Sequence, residues 1–184
     1  KLEKAFLDFP SFRADGKTFA DVGASTGGFT ECLLRHGAKR VYAIDVGESL
    51  LSEDLRKDPK VIPIERCNAR NMTEETIGEK AEGAVCDVSF ISLKLILKPI
   101  YDILCESGEA MVLIKPQFEC GKKALNKNGI VKDEKNRRQA VDEVSAFARS
   151  IGFSVIGVTE APQREGKNLE YLLYLKKHTL VSVV

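Results

Sequence analysis

The chain has 184 residues, 43% of them hydrophobic, with a net charge of +1; this supports one substantial core and gives no sign of a second. Its longest apolar runs are five residues, such as 110–114, against the roughly 18 that a membrane span needs, so a soluble protein without membrane partners is expected. The five cysteines are dispersed and never spaced CxxC, and the two histidines, His36 and His178, lie in no ligand-spaced cluster, which predicts reduced, cytoplasmic thiols, no metal site and no serine-histidine triad.

Taken in chain order, a helical pattern at 2–9 precedes a strand at 18–22, a helix at 28–36 and a strand at 40–45. A helix at 50–57, a strand at 61–65, a helix at 73–79 and a strand at 83–87 follow. The remainder reads as a helix at 93–104, a strand at 110–114, a helix at 133–150 and two strands at 153–160 and 169–175. Alternation of this kind predicts a doubly wound α/β fold with a mostly parallel, seven-stranded sheet. The last connection, 161–168, has only eight residues, too few for a parallel crossover, so the seventh strand is expected to run antiparallel beside the sixth. One domain covering 1–184 is expected. Because Lys1 is not an initiator methionine, a further segment upstream is expected as well.

Lys115 ends the apolar run 110–114 and precedes Pro116. In open α/β sheets ligands bind beyond the carboxyl ends of the strands, so Lys115 is placed at the catalytic edge. Asp87 ends the fourth strand at the same edge, and Ser92 suits the cap of the next helix better than Asp87 does. Glu170 joins them, because an antiparallel strand begins where its parallel neighbours end. The first strand runs through Asp21 into Gly23-Ala24-Ser25-Thr26-Gly27-Gly28, a turn that a ligand can approach closely. Its GxxxGG spacing is neither the GxGxxG dinucleotide fingerprint nor a P-loop, which weakens a nicotinamide-dependent dehydrogenase. Asp45 fits a carboxylate that accepts from ribose hydroxyls, and Asn68 fits either an adenine edge or a turn. Together these residues point to a nucleoside cofactor without pyrophosphate, S-adenosylmethionine. Cys86 and Cys120 raise a cysteine nucleophile for cytosine-carbon methylation, but burial is the better role for Cys86. Between 120 and 138 stand Lys122, Lys123, Lys127, Lys132, Lys135, Arg137 and Arg138 against Asp133 and Glu134, a basic stretch suited to a polyanion.

Several segments resemble the TlyA (haemolysin A) type of FtsJ-like ribosomal RNA 2′-O-methyltransferases. They are Lys1-Leu2-Glu3-Lys4-Ala5, the DVGASTGGFT turn from Asp21, DVSFISL from Asp87, KPQFE from Lys115, Gly129-Ile130-Val131 and Asn168-Leu169-Glu170-Tyr171. The resemblance implies a Lys-Asp-Lys-Glu tetrad on Lys1, Asp87, Lys115 and Glu170, and methyl transfer to a cytidine 2′-hydroxyl of ribosomal RNA or a ribosomal subunit. It also implies a small RNA-binding domain upstream. The rival readings from other classes are a pore-forming haemolysin, for which long apolar segments are missing, and an RNA binder without catalysis.

Overall fold

A computed structural model describes residues 1–178. Helix α1 (Leu2–Asp8) leads into β1 (Thr18–Val22), α2 (Gly28–Arg35), β2 (Arg40–Ile44), α3 (Glu53–Lys57) and β3 (Val61–Ile64). Then come α4 (Glu74–Ile77), β4 (Ala81–Cys86), α5 (Leu97–Ile103), β5 (Leu104–Ile114), α6 (Pro116–Glu119), α7 (Glu134–Ser150), β6 (Phe153–Glu160) and β7 (Tyr171–Lys177). The strands form one sheet in the order β3-β2-β1-β4-β5-β7-β6. β1 to β5 pair in parallel, whereas β7 is antiparallel to both β5 and β6. The doubly wound, Rossmann-like sheet with a reversed last strand is therefore as the alternation and the short final connection imply.

Side chains alternate across the strands and give the sheet two buried faces. Phe19, Val41, Val85, Met111, Leu113 and Tyr174 pack toward Leu2 and Ala5 of α1 and Leu33 of α2. Their neighbours Ala20, Tyr42, Ala84, Val112 and Leu173 face the opposite layer, where Ile77 of α4, Leu97, Ile100 and Ile103 of α5 and Val144 and Ala148 of α7 cover them. With both faces covered, the open ends of the strands are where function can be placed.

Element boundaries differ from the sequence pattern in three informative places. The expected helix 93–104 splits into a 3-10 turn at Leu93–Leu95 and α5: Pro99 has no N–H for the carbonyl of Leu95, so a continuous helix is not possible there. Strand β5 begins at Leu104, not at 110. The polar residues 105–107 distort the strand, since its register against β4 shifts between Ala81↔Leu104 and Gly83↔Glu109. The expected helix 73–79 is a single turn, closed by Gly78 at φ 73°, the left-handed C-cap that glycine adopts without strain.

Candidate active site

Four charged side chains converge at the carboxyl edge of the sheet. Asp87 directly follows β4 and Lys115 directly follows β5. Tyr171, the first residue of β7, pairs with Ile114, so the reversed strand brings Glu170 beside Lys115. Lys1 is the N-cap of α1. Lys115 Nζ lies 2.6 Å from Asp87 Oδ1, Lys1 Nζ 3.4 Å from Asp87 Oδ2, and Lys1 Nζ 2.8 Å from Glu170 Oε2. The result is a row of alternating charge, Lys115, Asp87, Lys1, Glu170, in which Asp87 bridges two ammonium groups. Lys115 is 7% exposed, so its pair with Asp87 is far less screened than a surface pair. Pro116 at the first position of α6 has its φ pre-set for a helix and turns the chain away sharply, leaving Lys115 at the strand end.

Residues that the sequence pattern did not single out hold this row in place. Lys115 Nζ donates to Ser89 Oγ at 2.8 Å, and Gln117 Nε2 to Glu170 Oε1 at 3.4 Å. Glu119 accepts from Ser92 Oγ at 2.6 Å and from the Leu93 N–H at 2.7 Å. The DVSFISL and KPQFE segments are thus tied together by hydrogen bonds across the edge. Ser92 also accepts from Lys94 N–H and caps the 3-10 turn, which leaves Asp87 to the two lysines. Asn168 clasps the 126–131 loop, donating to Gly129 O at 3.0 Å and accepting from Val131 N–H at 2.9 Å. Spacing alone carried no signal for these contacts, because their partners lie 26 to 53 residues apart.

Two cavities flank the row. One, of about 580 Å³, is bordered by Gly23, Ser25, Asp45, Asn68, Asp87 and Ser89, with Ile44, Val46, Leu50, Val88, Phe90 and Ile91 as apolar walls. Asp45 accepts from the Ser25 N–H through Oδ2 and from the Gly47 N–H through Oδ1, both at 2.8 Å. These bonds fix the carboxylate at the cavity wall and leave lone pairs for further donors. Asn68 lines the cavity while its side chain accepts from Arg70 N–H, so it is both a turn residue and a wall residue. The other cavity, of about 540 Å³, lies among Lys1, Gly23, Ala24, Ser25, Gly28, Asp87 and Lys115, with Arg35 and Arg164 at its rim.

Of the other expected cofactor residues, Gly23 borders both cavities, whereas Gly27 and Asp21 border neither. A Cβ on Gly23, whose φ is 82°, would come 2.8 Å from the carbonyl of Asp87, so glycine there lets β1 and β4 finish side by side. Gly27 has φ 100°, a conformation that favours glycine, and a Cβ there would meet the side-chain ends of Leu55 and Leu51. Asp21 is wholly buried and accepts from Thr30 Oγ1 at 2.7 Å, with its other oxygen unpaired among the described residues. Burial, opposed by the Thr30 hydrogen bond and aided by the charges of Asp87 and Asp45, pushes its carboxyl up to about 7. It is a support beneath the site.

The basic stretch divides. Lys122, Lys123, Lys127 and Lys132 are exposed and form no ion pair among the described residues. Arg137 instead donates to the carbonyls of Val131 and Lys132, and Arg138 pairs with Glu134 at 2.6 Å, so these two are engaged within the fold. Arg164 and Lys167, in the β6–β7 connection, line a cavity with Lys1 and Glu170 and were not anticipated. Cys86 is fully buried, with its thiol raised by burial. The expectation that His36 belongs to no ligand cluster needs correcting: the fold brings Glu3, Cys32 and His36 together, a proximity between two helices that linear spacing did not display.

A Rossmann-like sheet with the β3-β2-β1-β4-β5-β7-β6 order and a polar site at its carboxyl edge defines the S-adenosylmethionine-dependent methyltransferase fold. It is shared with such an enzyme from Mesorhizobium loti at a TM-score of 0.70, 12% identity and coverage of 96% of this chain and 98% of that one. The family model described as FtsJ-like methyltransferase matches residues 1–177, and the chain belongs to that family. It is 41% identical over 165 residues to the 16S/23S rRNA (cytidine-2′-O)-methyltransferase TlyA of Mycobacterium tuberculosis, covering 89% of this chain and 62% of the relative. A crystal structure of a provisionally named hemolysin from Lactococcus lactis superposes at a TM-score of 0.92 with 44% identity, covering 96% of this chain and 85% of that one. The chain spans 63% and 62% of the length of the first curated relatives it matches.

Proposed function

We propose that this chain carries the catalytic unit of a methyltransferase that uses S-adenosylmethionine to methylate a ribose 2′-hydroxyl, that of a cytidine, in ribosomal RNA. The observation that carries the reading is the row Lys115, Asp87, Lys1, Glu170, linked at 2.6, 3.4 and 2.8 Å between two cavities. The cavity beside Asp45 fits the cofactor. It offers an apolar slot for a purine, a fixed carboxylate for ribose hydroxyls and a turn from Gly23 to Gly28 without a lysine for pyrophosphate. When bound, S-adenosylmethionine supplies an electrophilic methyl group on a sulfonium centre.

The residues of this chain do the rest by position. Lys115 spends two of its hydrogen-bonding directions on Asp87 and Ser89 and has a third for the acceptor 2′-oxygen. In that role it orients the hydroxyl for in-line attack, or as the amine takes its proton. Asp87 and Glu170 fix the two lysines and set a negative field beside the sulfonium. RNA is held by the exposed Lys122, Lys123, Lys127 and Lys132, while an upstream RNA-binding domain, in keeping with the greater length of the relatives, supplies the rest of the affinity. Such an enzyme works on ribosomal subunits in the cytoplasm.

The experiment is mass mapping of ribose methylation in ribosomal RNA incubated with labelled cofactor and the protein including its upstream segment. Label on a cytidine 2′-oxygen is expected. Label on a base carbon or nitrogen, or saturable binding of NAD with none of S-adenosylmethionine, overturns the reading.

A further inference from the structure

Outside the tetrad, one cluster combines three different metal-binding chemistries. Cys32 and His36 stand four residues apart at the end of α2 and therefore on one face of it, and Glu3 reaches across from α1. Cys32 Sγ lies 3.4 Å from Glu3 Oε1 and His36 Nε2 lies 2.8 Å from Glu3 Oε2, and the ligand atoms all lie within 4.8 Å of one another. The imidazole stacks on Phe6 with centroids 4.0 Å apart and planes at 17°, which fixes the plane of the ring. Arg35 Nη2 sits 2.8 Å from Glu3 Oε1.

We propose that Glu3, Cys32 and His36 form a three-ligand zinc(II) site that staples α1 to α2. Thiolate, imidazole and carboxylate together suit a borderline-soft cation, and three protein ligands with an open fourth position are a common zinc arrangement. Tetrahedral bonds to sulfur, nitrogen and oxygen place neighbouring ligand atoms about 3.4–3.6 Å apart. The present contacts go to different oxygens of Glu3, Cys32 Sγ at 3.4 Å from Oε1 and His36 Nε2 at 2.8 Å from Oε2, so rotation of the exposed Glu3 carboxylate is what brings a single oxygen into bonding position beside both. Binding breaks the S–H bond of Cys32 and releases that proton to solvent while the Zn–S bond forms. The two anionic ligands neutralise the cation, and no redox change is involved. Arg35 sits on Oε1 of Glu3; with Oε2 as the metal ligand it is an outer partner that orients the carboxylate.

The site has a consequence for its neighbour. Glu3 is two residues from Lys1, the N-cap of α1, and the cavity that borders Lys1, Asp87 and Lys115 is also lined by Glu3 and Cys32. A metal here anchors the helix from which Lys1 extends. This inference stands independently of the methyl-transfer reading.

Cobalt(II) titration of the reduced, chelator-stripped protein tests it. A thiolate-to-cobalt charge-transfer band saturating at one equivalent and displaced by zinc is expected. Cys32→Ser should abolish the band, and His36→Asn should weaken binding by at least the roughly tenfold to hundredfold that loss of an outer partner causes. Cys67→Ser should leave it intact. No band in the wild-type protein, or a band that survives both Cys32→Ser and His36→Asn, overturns the site. If Cys32→Ser fails to fold, the variant at the half-buried His36 alone decides. Zinc should also slow amide exchange in α1; unchanged exchange in α1 with metal bound overturns the stapling.

Discussion

Two buried lysines, Lys115 at 7% exposure and Lys177 at 8%, sit at opposite edges of the same sheet and show that a buried charge is not by itself a site. Lys177 donates to the carbonyls of Leu104 at 2.8 Å and Tyr101 at 3.1 Å and lies 4.4 Å from the centroid of the Tyr101 ring. It closes the end of α5 and the start of β5. Lys115 faces a carboxylate shared with a second lysine, a serine and a cavity. The first serves backbone carbonyls that need donors, with the Glu106 carboxylate further off at 3.8 Å; the second is surrounded by groups that a substrate can share. Location beyond the carboxyl ends of the strands, plus space, separates chemistry from architecture.

Substitution is the sharpest way to break that distinction. Lys115→Ala should lower methyl transfer by about 10²–10⁴-fold, the usual range for a lost proton-handling or orienting group, while cofactor affinity by calorimetry and the melting temperature stay close to wild type. Full transfer in that variant would remove Lys115 from the site. Glu170→Ala should show the same pattern with a smaller loss. Lys177→Met should behave in reverse, losing about 1.5–3 kcal/mol in urea unfolding because buried carbonyls lose a charged donor, with kcat per folded molecule retained. A drop in kcat without a loss of stability would erase the contrast between the two lysines.

Asp21 refines the comparison at the working edge, because it is buried without a cation. Its folded pKa of about 7 lies above the unfolded value of about 3.9, so its contribution to stability is complete below pH 4, falls as pH rises and is gone above 7. Asp21→Asn, which keeps an acceptor for Thr30 but leaves an amide N–H unpaired, should therefore be less stable than wild type at low pH and gain on it between about pH 4 and 7. A plateau on the order of 1 kcal/mol is expected above pH 7, after the cost of an unpaired amide N–H. A pH-independent difference would contradict the burial argument. The smallest effect concerns RNA: Lys127→Ala should weaken binding and reduce the salt slope by about 0.7–0.9, whereas Arg138→Ala, already paired with Glu134, should change it less.

Much of this was readable from the chain. The short link between the last two strands, eight residues by the sequence pattern and ten (161–170) in the structure, was enough to reverse β7, and with it to bring Glu170 to the edge that Asp87 and Lys115 share, because strand direction follows from connection length. Period and strand ends carry that kind of information. What they do not carry is contact between distant segments. Glu119 as the cap of the 92–95 turn, Asn168 as a clasp and the Glu3, Cys32 and His36 cluster all depend on which loops meet. Gly27 and Arg137 also carry contacts that the pattern did not display: Gly27 has φ 100° beside Leu51 and Leu55, and Arg137 donates to the carbonyls of Val131 and Lys132.

Asn168 holds the 126–131 loop by two hydrogen bonds and stands two residues before Glu170. The loop that presents Lys127 and leads to Lys132 therefore cannot be displaced without loading the start of β7. Under the proposed reading, RNA held by those lysines is tied through Asn168 to the residue pair before β7, and so to the carboxylate that Lys1 meets at 2.8 Å.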